Sequence, residues 1–176
     1  MQRGNLQFNA KDRAKHYRLS ARFNGKNDEA FRIVGVVYAW QGYAGGFFPG
    51  IDKQSVGYNG KNGRIYQGYE GAVKVDPYNN GDTVTLDVYM PPKAYFEIRG
   101  PNSDMQDSNQ LNFKPVLTFS VNGVEQSTFV TNLPQSIRFC VSRFYAGTSV
   151  DILELSERDL DVALPNQTGK NLLPWG

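Results

Sequence analysis

The sequence predicts an all-β fold, from its load of turn residues, its aromatic content and the period of its apolar residues. The 176-residue chain holds 18 Gly, 9 Pro and 15 Asn, together with 10 Tyr, 11 Phe and 2 Trp. Gly, Pro and Asn punctuate a chain with turns, and aromatic side chains suit the half-buried face of a strand. Apolar residues recur at every second position in several stretches, while helical spacing is scarce. Many short strands with frequent turns build an antiparallel sandwich or a barrel, with little helix. A chain of this length suits one domain that buries roughly 70% of its unfolded surface.

The elements follow in order. In residues 17–23, Tyr17, Leu19, Ala21 and Phe23 alternate with Arg18, Ser20 and Arg22, and the turn signal Asn24-Gly25 follows. Residues 31–38 are apolar throughout except for Arg32 and Gly35, the pattern of a strand covered on both faces. The glycine- and aromatic-rich stretch 39–50 reads as a loop. Residues 83–90 alternate cleanly, with Val84, Leu86, Val88 and Met90 on one face and Thr85, Asp87 and Tyr89 on the other. Residues 116–121 run into Asn122-Gly123, the strongest hairpin signal in the chain. Ile137, Phe139 and Val141 form another alternating face, and 150–155 is a further strand. Ser156 followed by Asp159 suggests one short capped helical turn. Residues 1–14 read as an arm, 15–156 as a single sandwich domain and 157–176 as a tail. Within the domain, 91–115 reads as an insertion in which Tyr95, Phe96 and Ile98 mark an extra strand.

Composition excludes most chemistry. Nineteen Lys and Arg against 17 Asp and Glu leave a net charge of +2, which is no electrostatic programme for nucleic acid or membrane. No stretch approaches the roughly 18 apolar residues of a membrane span. Residues 1–5 show no apolar secretory core, so cytoplasmic localisation is the expectation. One Cys and one His leave no disulfide framework and no multi-histidine metal site. His16 reads as an ordinary strand-end residue, and Cys140, between Phe139 and Val141, as a structural thiol. There is no G-x-S-x-G nucleophile elbow, and the glycine-rich stretches 42–50 and 57–63 lack the Lys-Ser/Thr of a phosphate loop. The paired carboxylates of sandwich-fold glucanases are also missing. The expectation is a protein without enzymatic activity or cofactor.

One metal reading remains as an alternative. Asp76, Asn80 and Asp82, with the carbonyl of Tyr78, place oxygen atoms at alternate positions, as calcium requires. The stretch resembles the metal loop of legume-type lectins and would make the chain a carbohydrate-binding sandwich. Lys74 stands where those lectins carry a further carboxylate. The competing reading is a Pro/Asn/Gly turn leading into the next strand. Charge is also uneven: residues 1–32 carry eight Lys/Arg and three acids, while 151–161 carry five acids and one Arg. Solvated faces account for both.

Three separated stretches together resemble the SPRY domain family. The first is Phe31-Arg32-Ile33-Val34-Gly35-Val36-Val37, preceded by the aromatic-led His16-Tyr17-Arg18-Leu19. The second is Ser55-Val56-Gly57-Tyr58-Asn59-Gly60, followed by Gly63-Arg64-Ile65-Tyr66-Gln67-Gly68. The third runs from Gly81-Asp82-Thr83-Val84 through Leu117-Thr118-Phe119-Ser120-Val121-Asn122-Gly123, Phe129 and Leu133-Pro134 to Arg138-Phe139-Cys140-Val141-Ser142. Arg138 occupies a position that is usually proline-like, 91–115 is extra, and the family's N-terminal leucine-aspartate-proline subdomain is absent.

The resemblance implies a bent antiparallel sandwich of concanavalin-like topology that binds a partner protein or peptide through loops at one edge. An adaptor or assembly subunit is the expected role, with a small-molecule ligand disfavoured. The family's binding segments map onto two loops here. The first holds Trp40, Tyr43, Phe47 and Phe48, and the second holds Arg143, Phe144 and Tyr145. Tyr58 joins them as a candidate contact. Aromatics in glycine-rich loops serve no strand core, and Tyr, Trp and Arg dominate interface energetics. The opposite expectation is that Phe47 and Phe48 fold back as a lid on the core. A structural jelly-roll protein that self-assembles is the remaining alternative.

Overall fold

The computed structural model describes residues 13–25, 31–40, 42, 45–68, 71–92, 114–144, 146–160 and 164–176. They form twelve strands: β1 Lys15–Asn24, β2 Arg32–Tyr38, β3 Ser55–Asn59, β4 Arg64–Gln67, β5 Gly71–Lys74, β6 Thr83–Met90, β7 Val116–Val121, β8 Val124–Glu125, β9 Thr128–Thr131, β10 Ile137–Arg143, β11 Ser149–Asp159 and β12 Asn171–Pro174. Two sheets result. A seven-stranded sheet has the order β11-β1-β6-β7-β9-β12, with β8 paired to β7, and a five-stranded sheet has the order β10-β2-β3-β4-β5. All pairings are antiparallel except β12 on β9, which is parallel. No helix occurs among the described residues.

The period-two faces meet as the sequence predicts. Leu19, Ala21 and Phe23 of β1, Val84, Leu86 and Val88 of β6, and Leu117 and Phe119 of β7 face Val34 and Val36 of β2, Val56 and Tyr58 of β3, and Ile65 of β4. Each such side chain contributes about 1.5–3 kcal/mol by leaving water. Tyr58 and Tyr78 are wholly buried between the layers. Their rings pack edge to face at 4.9 Å, Phe119 lies 5.5 Å from Tyr58, and Phe23 lies 5.9 Å from Tyr78. Neither phenol is left unsatisfied. Tyr58 donates to the Asp76 carbonyl, and Tyr78 donates to the carbonyls of Arg32 (2.7 Å) and Tyr58 (3.2 Å).

The Asn122-Gly123 hairpin is present, with positive φ of 50° and 81°, the left-handed geometry that a two-residue hairpin turn requires. Asn122 also ties this turn to Asp82, 40 positions earlier. Its amide donates to Asp82 Oδ1 (2.8 Å), and its carbonyl oxygen accepts from the Thr83 N–H (2.9 Å). The Gly-Asp and Asn-Gly elements of the sequence pattern are thus two sides of one contact.

Two boundaries differ from the sequence expectation. Residues 156–159, expected as a helical turn, continue β11 in register opposite Arg18 to Lys15 of β1. Eleven residues of edge strand pair along β1 from Lys15 to Asn24, which outweighs one weak cap. The expected tail contains β12, which pairs with β9 and is fastened by N–H donation from Asn171 to Ser127 and from Trp175 to Thr131, each at 2.8 Å. Leu173 and Trp175 pack on the core. The insertion strand expected at Tyr95, Phe96 and Ile98 lies outside the described residues.

Strand β2 is buried on both faces, and the reason lies in two glycines. Gly35 of β2 and Gly57 of β3 are register partners on the face pointing away from the core. A Cβ on Gly57 would stand 1.9 Å from the Pro49 carbonyl oxygen, and one on Gly35 would stand 2.8 Å from Pro49 Cβ and 1.9 Å from the Val56 oxygen. Pro49 therefore sits on a saddle that only missing side chains provide. Gly50, at φ +91°, continues the path where a Cβ would meet the Tyr66 carbonyl at 2.8 Å. Its N–H donates to the buried Ser55 hydroxyl at 2.9 Å. We predict that Gly57→Ala lowers stability by about 2–4 kcal/mol. Gly42→Ala, with nothing within 4 Å of its would-be Cβ, stays within about 0.5 kcal/mol. Urea denaturation of the two variants checks both values.

Candidate functional site

The outward face of the five-stranded sheet carries a pocket, and the saddle loop makes one wall of it. Ile33 on β2, Asn59 on β3 and Tyr66 on β4 form the floor, by register all on the face opposite Val34, Tyr58 and Ile65. Gly50 and Ile51 close one side. Phe31, Phe48 and Phe144 form the rim. The cavity measures about 490 Å³, within the range of ligand sites.

The three phenylalanines come from different segments and meet edge to face. Phe144 lies 5.9 Å from Phe31 and 6.0 Å from Phe48, at interplanar angles of 72° and 77°. Such pairs add about 0.5–1.5 kcal/mol beyond burial. The Phe144 N–H donates to the Phe31 carbonyl at 3.4 Å, extending the β10–β2 ladder past its last paired residues. Phe31 remains 38% exposed, and Phe48 and Phe144 are half-buried. Neither the outward display nor the core lid that the sequence allows describes Phe48. It packs on Phe144, over the reverse face of the sheet.

Among the other sequence candidates, Trp40 is 80% exposed and lies past the far end of β2. At about 3.3 Å per residue the end of β2 at Tyr38 is already roughly 16 Å from Ile33, and Trp40 is not part of the pocket lining. Phe47 is half-buried beside Phe48. Arg143 turns to the loop before β11, donating to the carbonyl of Thr148 and to its hydroxyl (3.3 Å). Tyr43 and Tyr145 lie outside the described residues. Tyr58 is corrected outright: it is 0% exposed, and burial holds its phenol far above the usual tyrosine range. A core ring with its hydroxyl spent on a carbonyl cannot touch a partner. Phe31, Ile33, Ile51, Asn59 and Tyr66 were not singled out from sequence. Their signal was the outward parity of β2 to β4, which the continuous apolar run masks.

The calcium reading also fails at the residues. Both Asp82 oxygens are engaged: Oδ2 accepts from the Asn79 N–H at 2.7 Å and Oδ1 from Asn122 at 2.8 Å. The Asn80 amide donates to the Gly25 carbonyl at 3.2 Å, and the Tyr78 ring beneath is sealed in the core. Asp76 faces a separate groove shared with Lys74 and Lys170. Among the described residues no three His, Cys, Asp or Glu side chains gather around a common point. His16 is more than a strand end: its Nε2 lies 2.6 Å from Asp87 Oδ1, and its ring stacks on Tyr89 at 4.8 Å. Arg18 Nε donates to the same carboxylate at 2.7 Å, which makes a polar brace on the seven-stranded sheet. Burial raises the Cys140 thiol pKa, which keeps it in the unreactive form near neutral pH. No helix among the described residues is long and apolar enough to cross a membrane.

The Asn122 amide and the Asn79 N–H hold Asp82 below the ordinary carboxylate value of 3.8. A depressed native pKa means that its contribution is complete above that value and is lost as pH falls through the folded one. We predict that Asp82→Ala costs about 1 kcal/mol at neutral pH and less in strong acid, while millimolar calcium leaves the wild-type melting temperature unmoved. Thermal melts across pH, with calcium and with chelator, measure both.

No protein-family model and no curated protein sequence matches the chain. Among solved structures, a human SPRY domain matches over 89% of this chain and 90% of its own length, at 15% identity and a TM-score of 0.54. Two antiparallel-dominated sheets, the strand content and this likeness agree: the chain has the bent β-sandwich fold of a SPRY domain.

Proposed function

We propose that this chain is a non-enzymatic protein-interaction module, a cytoplasmic adaptor or assembly subunit, and that it grips a partner peptide in the Phe31–Phe48–Phe144 pocket. The observation that carries the reading is the meeting of Phe48 and Phe144. They come from the two loops to which the SPRY resemblance assigns binding, and they close around an open apolar cavity. A rigid floor of paired strands under aromatic walls is the build of an interface hot spot. The protein-binding role associated with SPRY domains supports the same reading.

The test is a capture experiment from source extract, with wild type, Phe48→Ala/Phe144→Ala and Leu172→Ala side by side. Leu172 is 51% exposed on β12 of the other sheet and serves as the distant control. The double variant is expected to keep its circular dichroism and to lose its partner at least tenfold, equivalent to about 1.4 kcal/mol, while Leu172→Ala retains it. A partner held equally by all three proteins would remove the pocket from the interface.

A further inference from the structure

The pocket has a chemistry of its own, and it points to one class of occupant. Its walls are apolar, but its floor holds two polar side chains: Tyr66, whose hydroxyl accepts from the Asn62 amide at 2.6 Å, and Asn59, 3% exposed. The Asn59 Oδ1 accepts from the Lys61 N–H at 3.0 Å, while the NH2 has no acceptor among the described residues. An idle donor at the base of an apolar cavity matches a ligand that brings an oxygen acceptor along with its hydrophobic group.

Among the described residues the mouth carries three cations and one acid. Lys61 Nζ lies 5.5 Å from the centre of the Phe31 ring. Arg64 is the cross-strand partner of Asn59, so its side chain emerges on the same face. Lys53 runs past Gly68, with its Cγ 3.6 Å from where a glycine Cβ would stand. All three cations are exposed, and among the described residues none has a carboxylate within ion-pairing distance. The one acid described at this rim, Asp52, turns its Oδ1 to the Gln54 N–H (3.0 Å) and the Ser55 hydroxyl (2.7 Å).

Resting on the peptide-binding reading above, we infer that the partner is an acidic peptide segment that inserts one large apolar side chain between Phe31, Phe48 and Phe144. The carbonyl of the inserted residue accepts from the Asn59 amide. Asp or Glu residues on either side face Lys53, Lys61 and Arg64. The excess of cations among the described residues favours an anionic chain and disfavours a basic one, so charge selects the partner and the pocket anchors it.

The experiment uses a phage-displayed library of random seven-residue peptides panned against the whole chain. Recovered sequences are then synthesised with a fluorophore and titrated by polarisation. The expected consensus is one Leu, Met, Phe or Trp flanked by Asp or Glu. Raising salt from about 50 to about 500 mM should weaken binding severalfold, and Lys61→Glu/Arg64→Glu should weaken it about tenfold. Asn59→Asp, which keeps the acceptor for the Lys61 N–H but removes the donor, should act in the same direction. Recovery of basic or uncharged sequences, or of no binder, overturns the inference. Peptides that depend on Phe144 but ignore the charge reversal and the salt overturn the acidic partner and leave the pocket reading standing. Peptides indifferent to Phe144→Ala overturn both.

Discussion

The contact between Pro49 and the Gly35–Gly57 pair decides what the outer face of the five-stranded sheet can be. Two facing positions on neighbouring strands lack side chains, and a loop backbone occupies the space within van der Waals reach. Were either position Ala, the loop would have to lift off the sheet. Several features depend on its staying down. Ile33 and Val37, both 2% exposed, are dry on a face that would otherwise meet water. The Gly50 N–H finds the Ser55 hydroxyl, and Phe48 is delivered to Phe144. The pocket is therefore a product of absent side chains as much as of the aromatic ones that line it.

The polar contacts at the sandwich rim do a different job. Asp82 and Asn122 join the turn before β6 to the turn after β7, at the same end of that antiparallel pair, and Tyr58 and Tyr78 satisfy carbonyls of Asp76, Arg32 and Tyr58. Burial opposes ionisation of both phenols, so they serve as neutral donors throughout the physiological range. These residues belong to the most recognisable parts of the sequence pattern, the Gly-Asp, the Asn-Gly and the Ser-x-Gly-aromatic stretches. Their work is structural. The pocket draws on both kinds of residue: Ile33, Asn59 and Tyr66 lie within the recognisable stretches, while Phe48, Ile51 and Phe144 lie beyond them, where one fold can carry different sites.

How far the sequence could be read follows from what each pattern encodes. Period-two alternation located β1, β6 and β10, because one face of each is wet or only partly covered, and the Asn122-Gly123 turn located β7. The same signal could not resolve the outer face of β2, since a strand apolar on both sides does not say what covers its second face. That cover comes from residues 45–51 folding back, and no local periodicity records a loop returning over its own sheet. Tyr58 was misread for a related reason. An aromatic in a glycine-rich stretch looks available until its neighbours prove to be β3 residues whose alternate positions point inward. The extent of β11 and the existence of β12 depend on pairing with β1 and β9, which are long-range partners that a short polar segment does not announce.

A binding site on the face opposite the core, as proposed, would separate two selection pressures. Val34, Tyr58 and Ile65 fill the interior, while Ile33, Asn59 and Tyr66, each one residue away along the chain, floor the pocket. Because a strand sends adjacent residues to opposite faces, the rim and floor can change without cutting a cavity into the core. Truncating Phe144 removes two edge-to-face contacts at a half-open rim, whereas truncating Tyr58 would leave a void among Tyr78 and Phe119 and strip a carbonyl of its donor. The first alters the outer pocket; the second removes about 3–5 kcal/mol of stability, a large share of what a single domain possesses. The sandwich can thus hold its fold constant while the lining of its outer pocket changes.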